Sequence, residues 1–346
     1  MSREIEYFNA RLWGMRSFLL PEALYESLLE ANTRDAWTSV LRDTPYGEFL
    51  GPSFELDDSR VLFRAIDASI AQRTHRLTRL ASGRPAVALR ICLAEQDLQN
   101  LLTVVSGIHH HSSPLDILSG TLAGSLIGSE QLQALVHCHN TREAADYLTT
   151  WGYPYHSIFR RSLGRHPDKP LSEQRLDLNR GFMDALIADA HECGYPVILR
   201  FMRERIDRTN LITALMWRSL PSDRAPSEFF LPRGQWVQRK TFNRMLAASS
   251  LGHVISLLPP GPFKTSANRA EQKLSDPTRI SLFETSLEWE IIHRYSRPLT
   301  MDPLGAEWTL GFLLRLRREG IRIKQSLTRL LYEIPIDLFL EMSAYA

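Results

Sequence analysis

The sequence holds only three cysteines, Cys92, Cys138 and Cys193, far apart and outside any Cys-x-x-Cys pair. That scarcity excludes a disulfide framework and a zinc ribbon, and it suits a reducing, cytoplasmic setting. Long apolar runs are missing too: the stretch 101–108 is about the longest, well short of the roughly 18 residues that span a bilayer. Residues 1–14 are charged and carry no secretory run. Neither sign of charge dominates. The 41 Lys+Arg stand against 39 Asp+Glu, for a net +2, whereas a nucleic-acid binder shows a larger or better-clustered excess. Motifs of catalysis are also absent: there is no phosphate-cradling glycine loop, no His-Glu-x-x-His, no Gly-x-Ser-x-Gly, and no Ser or Cys in a nucleophile context.

What is present is helical periodicity in an ordinary globular composition, 44% hydrophobic and 23% charged over 346 residues. Apolar residues recur at three and four over 59–80, 90–108, 178–190, 197–217, 279–294 and 308–332, which predicts long amphipathic helices. Alternating strand patterns are hard to find. Pro and Gly gather between the helical stretches, as in Thr44-Pro45-Tyr46-Gly47, Trp151-Gly152-Tyr153-Pro154 and Pro259-Pro260-Gly261-Pro262. The polar segments 164–173 and 264–278 read as surface linkers. Arg greatly outnumbers Lys, which equips the chain for flat, bidentate pairing with carboxylates.

The chain also repeats itself. Asn32-Thr33-Arg34-Asp35-Ala36 returns as Asn140-Thr141-Arg142-Glu143-Ala144, and in both an Asn three residues before an acid predicts a capped helix start. Each copy runs into a turn with an aromatic, at Tyr46 and at Trp151 and Tyr153; Leu257-Leu258-Pro259 is a weaker third. A second motif keeps the same period: Asp97-Leu98-Gln99-Asn100-Leu101, Asp207-Arg208-Thr209-Asn210-Leu211 and Glu319-Gly320-Ile321-Arg322-Ile323. Gly124 and Gly234, each a few residues after a Leu, follow the first two copies. Three helical units of about 110 residues follow, and so long a period favours a closed three-part assembly over an open stack of short repeats.

An acid and an Asn three residues apart share one helix face, while the next residue turns inward. Such pairs either line an opening and meet a partner, or hydrogen-bond a neighbouring segment and hold the units in register; repetition through all three copies favours the second. Consecutive histidines, as in His109-His110-His111 and His137-Cys138-His139, point about 100° apart on a helix and rarely converge on one ion. The first trio reads as a solvated loop, the second as a helix surface with one buried thiol. Arg315, Arg318 and Arg322 form a stripe on the last long helix that suits an acidic subunit or anionic headgroups, or else a solvated face.

Together these residues resemble the V/A-type rotary ATPase subunit family called C in the archaeal-type enzyme and d in the vacuolar one. The opening Tyr7-Phe8-Asn9-Ala10-Arg11-Leu12-Trp13-Gly14-Met15-Arg16-Ser17-Phe18-Leu19-Leu20 is similar to the family's Tyr-x-Asn-Ala-Arg-x-Arg-x-Met-Lys-Ser-x-Leu-Leu. A short acidic helix over 24–31, the Thr44/Tyr46 turn, the acid-x-x-Asn-Leu helices at Asp97 and Asp207, and the ending through Glu333-Ile334-Pro335 and 338–342 continue the likeness along the whole chain. It departs at Trp13, where the family has Arg, and at Arg322, where it has Asn.

The resemblance implies an all-α fold of three similar units about a pseudo-threefold axis, a funnel with a central cavity, with approximate, interlocking boundaries at 1–85, 86–175 and 176–346. It implies a coupling piece without active site, cofactor or metal. Its partners would be the central stalk subunits D and F and the proteolipid ring, at the cytoplasmic face of the membrane and peripheral to it, with no nucleic acid involved. Asp97, Asn100, Asp207, Asn210, Arg315, Arg318 and Arg322 are the candidate partner or cavity contacts. A helical scaffold or adaptor without the ATPase and a metal enzyme built on the histidines are the competing readings.

Overall fold

A computed structural model of the chain describes residues 2–50, 59–164, 170–217, 225–271, 280–297 and 305–343. Every regular element among them is helical. After α1 (Ser2–Met15) the same order of elements runs three times. The first pass is α2 (Glu22–Glu30), α3 (Arg34–Leu41), α4 (Gly47–Leu50), α5 (Ser59–Leu80), α6 (Gly83–His109) and α7 (Pro114–Ser119). The second is α8 (Ser129–Val136), α9 (Thr141–Thr150), α10 (His156–Phe159), α11 (Leu171–Cys193), α12 (Pro196–Met216) and a single turn, Pro226–Phe229. The third is α13 (Arg239–Leu246), α14 (Leu251–Ser256), α15 (Pro262–Glu271), α16 (Ile280–Ser296), α17 (Glu307–Leu331) and α18 (Ile336–Ser343). Short helices precede a long pair in each pass. The spacing is 107 residues from Glu22 to Ser129 and from Arg34 to Thr141, and 110 from Ser129 to Arg239 and from Thr141 to Leu251.

The second short helix of each pass starts on a side-chain cap. Asn140 accepts from the Glu143 N–H at 2.9 Å, while the Glu143 carboxylate takes the His139 N–H at 2.8 Å. Ser250 accepts from His253 N–H at 3.2 Å in the third pass. In the first, the cap is Thr33, accepting from Ala36 N–H at 3.2 Å, and not Asn32. Both residue types satisfy an orphan N–H, so composition alone leaves the register open by one. Pro196 begins α12, where its missing N–H costs nothing, and Gly194 with φ 71° ends α11 in the left-handed conformation that glycine adopts freely. The segment 264–271, expected as part of a linker, is helical: Pro262 begins α15 and Gly261 accepts the first N–H groups. The rest of that expected linker, 272–278, lies outside the described residues, as do 165–169 of the other; 171–173 is the first turn of α11.

The chain divides into two compact units: Met1–Leu89 with Ala123–Ser125 and Ile292–Ala346, and Arg90–Leu122 with Leu126–Ile291. The first thus holds helices from both ends of the sequence. Its core buries Phe8, Leu28, Trp37, Leu41, Tyr46, Leu62, Leu310, Leu316, Ile323 and Leu327. The Trp37 indole N–H donates to Ser326 Oγ at 2.9 Å, and the Asn9 amide to Gly305 O at 3.1 Å. The second unit packs α11 on α12 around Phe159, Phe182, Leu186, Ile198, Phe201, Met202, Leu211 and Phe242. Each large apolar side chain so buried contributes about 1.5–3 kcal/mol, and the sum supplies the stiffness of the unit.

Candidate functional site

The repeated acid is buried in every copy and holds backbone. Asp97 accepts from Ile127 N–H at 2.9 Å and from the Tyr153 hydroxyl at 3.0 Å. Asp207 accepts from Gln235, Trp236 and Val237 N–H groups, each at 2.8 Å. Glu319 accepts from Leu20 N–H at 2.7 Å, from the Tyr46 hydroxyl at 2.8 Å and from Arg73 Nη1 at 2.7 Å. Leu20, Ile127 and Val237 lie just ahead of α2, α8 and α13. The acid of one pass therefore fixes the entry to the next, and the acid of the last pass fixes the entry to the first.

Burial raises the phenol pKa of Tyr46 and Tyr153 well above its ordinary value, with Glu319 and Asp97 adding to it, so both remain donors. The third pass has Phe263, fully apolar and 3% exposed, where the spacing places Tyr46 and Tyr153 in the others. Asp207 takes three N–H groups in place of the missing hydroxyl. Burial pushes its carboxyl up to about 6; the three N–H groups pull the other way, and nearby Glu204 adds to the rise.

The Asn of the motif makes a second clamp in two copies. Asn100 receives Leu122 N–H at 2.7 Å and donates to Leu122 O at 3.0 Å; Asn210 does both with Leu231, at 2.8 Å each. One carboxamide thereby replaces a strand-like pairing on a loop residue. These leucines are the ones that precede Gly124 and Gly234. Gly124 has φ +77°, and a Cβ on Gly234 would come within 2.1 Å of Asp207 Oδ1. Leu101, Leu211 and Ile323, next in the motif, are all fully buried.

Arg322 stands where the third Asn would be, and it turns to α2. Its guanidinium lies 4.0 Å from the Tyr25 ring centroid and bonds Glu22. Arg318 reaches the same Glu22 carboxylate at 3.7 Å, and Arg315 donates to Ser296 O at 2.6 Å. Burial, with Arg16 and Arg318 nearby, lowers the pKa of Arg315. The three form one half-exposed stripe anchored within their own unit.

Local reading of the motif misses two buried cations. Arg205, on the turn before Asp207, is 3% exposed and bonds Glu95 through Nε at 2.8 Å and Glu288 through Nη1. Burial works against its charge, but Glu288 and Glu95 outweigh that and hold its pKa above the ordinary value. Arg208 joins the cluster through Glu284 at 2.9 Å and Glu288 at 3.1 Å. Glu95 and Arg205 are 110 residues apart, one period, and that spacing is a usable signal. Arg73 is the other; it also lies over the Tyr46 ring, 4.5 Å from its centroid. Beside Arg208 a groove of about 530 Å³ runs between Leu102, Arg175, Leu176, Ile212 and Met216.

The histidines of the two clusters are exposed: His109 ends α6, His110 and His111 follow in the turn, and His137 and His139 flank Cys138. Cys138 is buried, and burial pushes its thiol up to about 12. Among the described residues no group of three or more His, Cys, Asp or Glu is placed to hold a metal ion, and no helix is long and apolar enough to cross a membrane.

The profile of the family described as ATP synthase (C/AC39) subunit matches residues 8–324. The chain belongs to that family. It is 24% identical to the C subunit of the V-type ATP synthase of Thermus thermophilus over 338 residues, 97% of each chain. It is 20% identical to the C subunit of the A-type ATP synthase of Thermococcus onnurineus over 325 residues, 92% of this chain and 84% of that one. The corresponding V-type protein of Deinococcus radiodurans matches at 23% over 236 residues, 68% of this chain and 65% of the relative. Membership of this family gives the Trp13 departure a setting: the indole stands 56% exposed on α1, edge-on to Trp308 at 4.9 Å, with Arg16 over its face at 5.3 Å.

Proposed function

We propose that the protein is the non-catalytic coupling piece of a V/A-type ATPase. It joins the central stalk, subunits D and F, to the proteolipid ring and passes torque between ATP turnover and proton or sodium movement. In this reading it sits at the cytoplasmic face, peripheral to the membrane, and has no active site, cofactor or metal of its own. Its three units, approximately 1–85, 86–175 and 176–346 and interlocked, surround a pseudo-threefold axis as a funnel with a central cavity.

The observation that carries this reading is the Glu319–Leu20 bond, 299 residues apart in sequence, inside a thrice-repeated order of elements in a chain of this family. A rotor adaptor has to be stiff in every direction, and passing each repeat's entry to the acid of the one before achieves that without a free end. Among the candidate contacts, Asp97, Asn100, Asp207 and Asn210 take the register-holding role, since all four side chains are buried on backbone groups. The partner contacts are assigned to Arg315, Arg318 and Arg322. Reversing all three charges is expected to weaken assembly on the ring.

The coupling role is tested in membranes from cells lacking this chain. They are expected to retain ATP hydrolysis by the soluble head while ATP-driven ion uptake into vesicles is lost, and adding the purified chain should restore uptake. Ion uptake that is undiminished without the chain contradicts the role.

A further inference from the structure

The outward face of α1 carries large rings that stand in solvent, Trp13 edge-on to Trp308 and the Tyr7 hydroxyl accepting from Arg11 Nε at 3.1 Å. Inward, Ile5, Phe8, Leu12 and Met15 are buried. Outward, Tyr7 is 54% and Trp13 56% exposed, and Phe18 just beyond the helix is 45% exposed. Ala10 and Gly14 lie between the rings, and a Cβ added at Gly14 would meet nothing within 4 Å, so the face is open and shallow. Exposed large rings gathered on one helix mark an interaction surface more than scattered ones do.

Two cations complete it. Arg11 lies 5.2 Å from the centroid of Tyr7 and Arg16 5.3 Å from that of Trp13. Among the described residues neither forms an ion pair. Arg11 lies in the second half of α1 and Arg16 just past its end, whereas the acids of the helix, Glu4 and Glu6, lie in its first two turns. Beside Arg16 and Trp308 a hollow, bounded also by Arg315, measures about 10 Å³. That is room for about one water and not for an anchoring side chain, which the centre of a protein interface needs.

We propose that this face of α1 rests on an anionic phospholipid surface, with Tyr7 and Trp13 at the level of the headgroups and Arg11 and Arg16 on their phosphates. Indole and phenol rings favour the membrane–water boundary because one end is apolar and the other wet. The guanidinium fork suits phosphate oxygens, and each such cation adds attraction to an anionic leaflet. A shallow face is no handicap against a fluid surface that moulds to it. The proposal stands apart from the coupling role, because the isolated chain is enough to test it.

The test floats the purified full-length chain with vesicles of phosphatidylcholine alone or mixed with phosphatidylglycerol. Binding is expected on the anionic vesicles, about tenfold above the neutral ones at low salt, and is expected to fall as salt screens the charges. The double variant Trp13→Ala/Arg16→Glu, and separately Tyr7→Ser/Arg11→Glu, should each lower it about tenfold with unchanged circular dichroism. Arg142→Glu, an exposed cation on α9, should leave it intact. Equal binding to both vesicle types overturns the proposal, as does undiminished binding by a folded double variant. So does a loss with Arg142→Glu as large as with the α1 variants, or vesicles that stay bare at either composition.

Discussion

Asp207 and Glu319 stand on matching turns of α12 and α17, yet they hold their segments by different means. Asp207 reaches only 30 residues along the chain and needs nothing but backbone N–H groups and a glycine that leaves it space. Glu319 reaches across 299 residues to Leu20, and there a phenol and a buried guanidinium join the one N–H. A nearby loop is already tethered by the chain, so a carboxylate alone can settle its path. Joining distant parts carries the larger loop-closure entropy; a phenol also reaches Asp97, over a short span, so the guanidinium of Arg73 on α5 is the contact particular to Glu319. Of the three repeated acids, the one that meets the beginning of the sequence is the one held by an ion pair.

The comparison breaks first at Glu319. Glu319→Gln leaves Arg73 buried without its acid and is expected to cost about 3–5 kcal/mol in urea unfolding. Adding Arg73→Met should recover part of that loss, because the orphaned charge goes with it. If Glu319→Gln costs no more than a surface change, the closure is not made by this carboxylate. Next comes Gly234→Ala, where the new Cβ meets Asp207 Oδ1; about 1–3 kcal/mol is expected, and the midpoint of thermal unfolding should fall with it. Asn100→Ala and Asn210→Ala each strip both bonds from a loop leucine and should cost about 1–3 kcal/mol, alike in the two repeats. Unequal losses would show that the clamps are alike in geometry only.

Acidity gives a subtler test. With its folded pKa raised to about 6, Asp207 takes up a proton in the folded state before it does so unfolded. Between the ordinary carboxylate value and about 6 the folded protein binds more protons, so stability from this group is highest at the acid end and declines as pH rises through that window. Asp207→Asn should lower stability at neutral pH and flatten that slope, measured as unfolding free energy against pH. The smallest effect is expected for Phe263→Tyr. The Asp207 oxygens already hold three N–H groups, so the hydroxyl that Asp97 and Glu319 receive should add less than about 1 kcal/mol at Asp207.

Much of this architecture is legible in the sequence. The stretch 59–80 coincides with α5, and 308–332 with α17 to within one residue, because apolar periodicity records a face that must be buried. The motif at Asp97, Asp207 and Glu319 is legible through its period. What it grips is not, because a hydrogen bond to Leu20, Ile127 or Val237 places no demand on the residue type that donates the N–H. Thr33 displaces Asn32 as cap for a similar reason, since either side chain serves. Arg205 is hidden by its own ordinary appearance: an Arg among charged neighbours reads as surface until Glu95 and Glu288 are seen around it. The helical start of 264–271 is masked by polarity that only its contacts outweigh.

The coupling role itself is tested most directly by capture. The tagged chain, recovered from detergent-solubilised membranes of its own cells and analysed by mass spectrometry, is expected to bring the stalk subunits D and F and the proteolipid with it. Recovery of the intact chain with none of these, in repeated captures, contradicts the account.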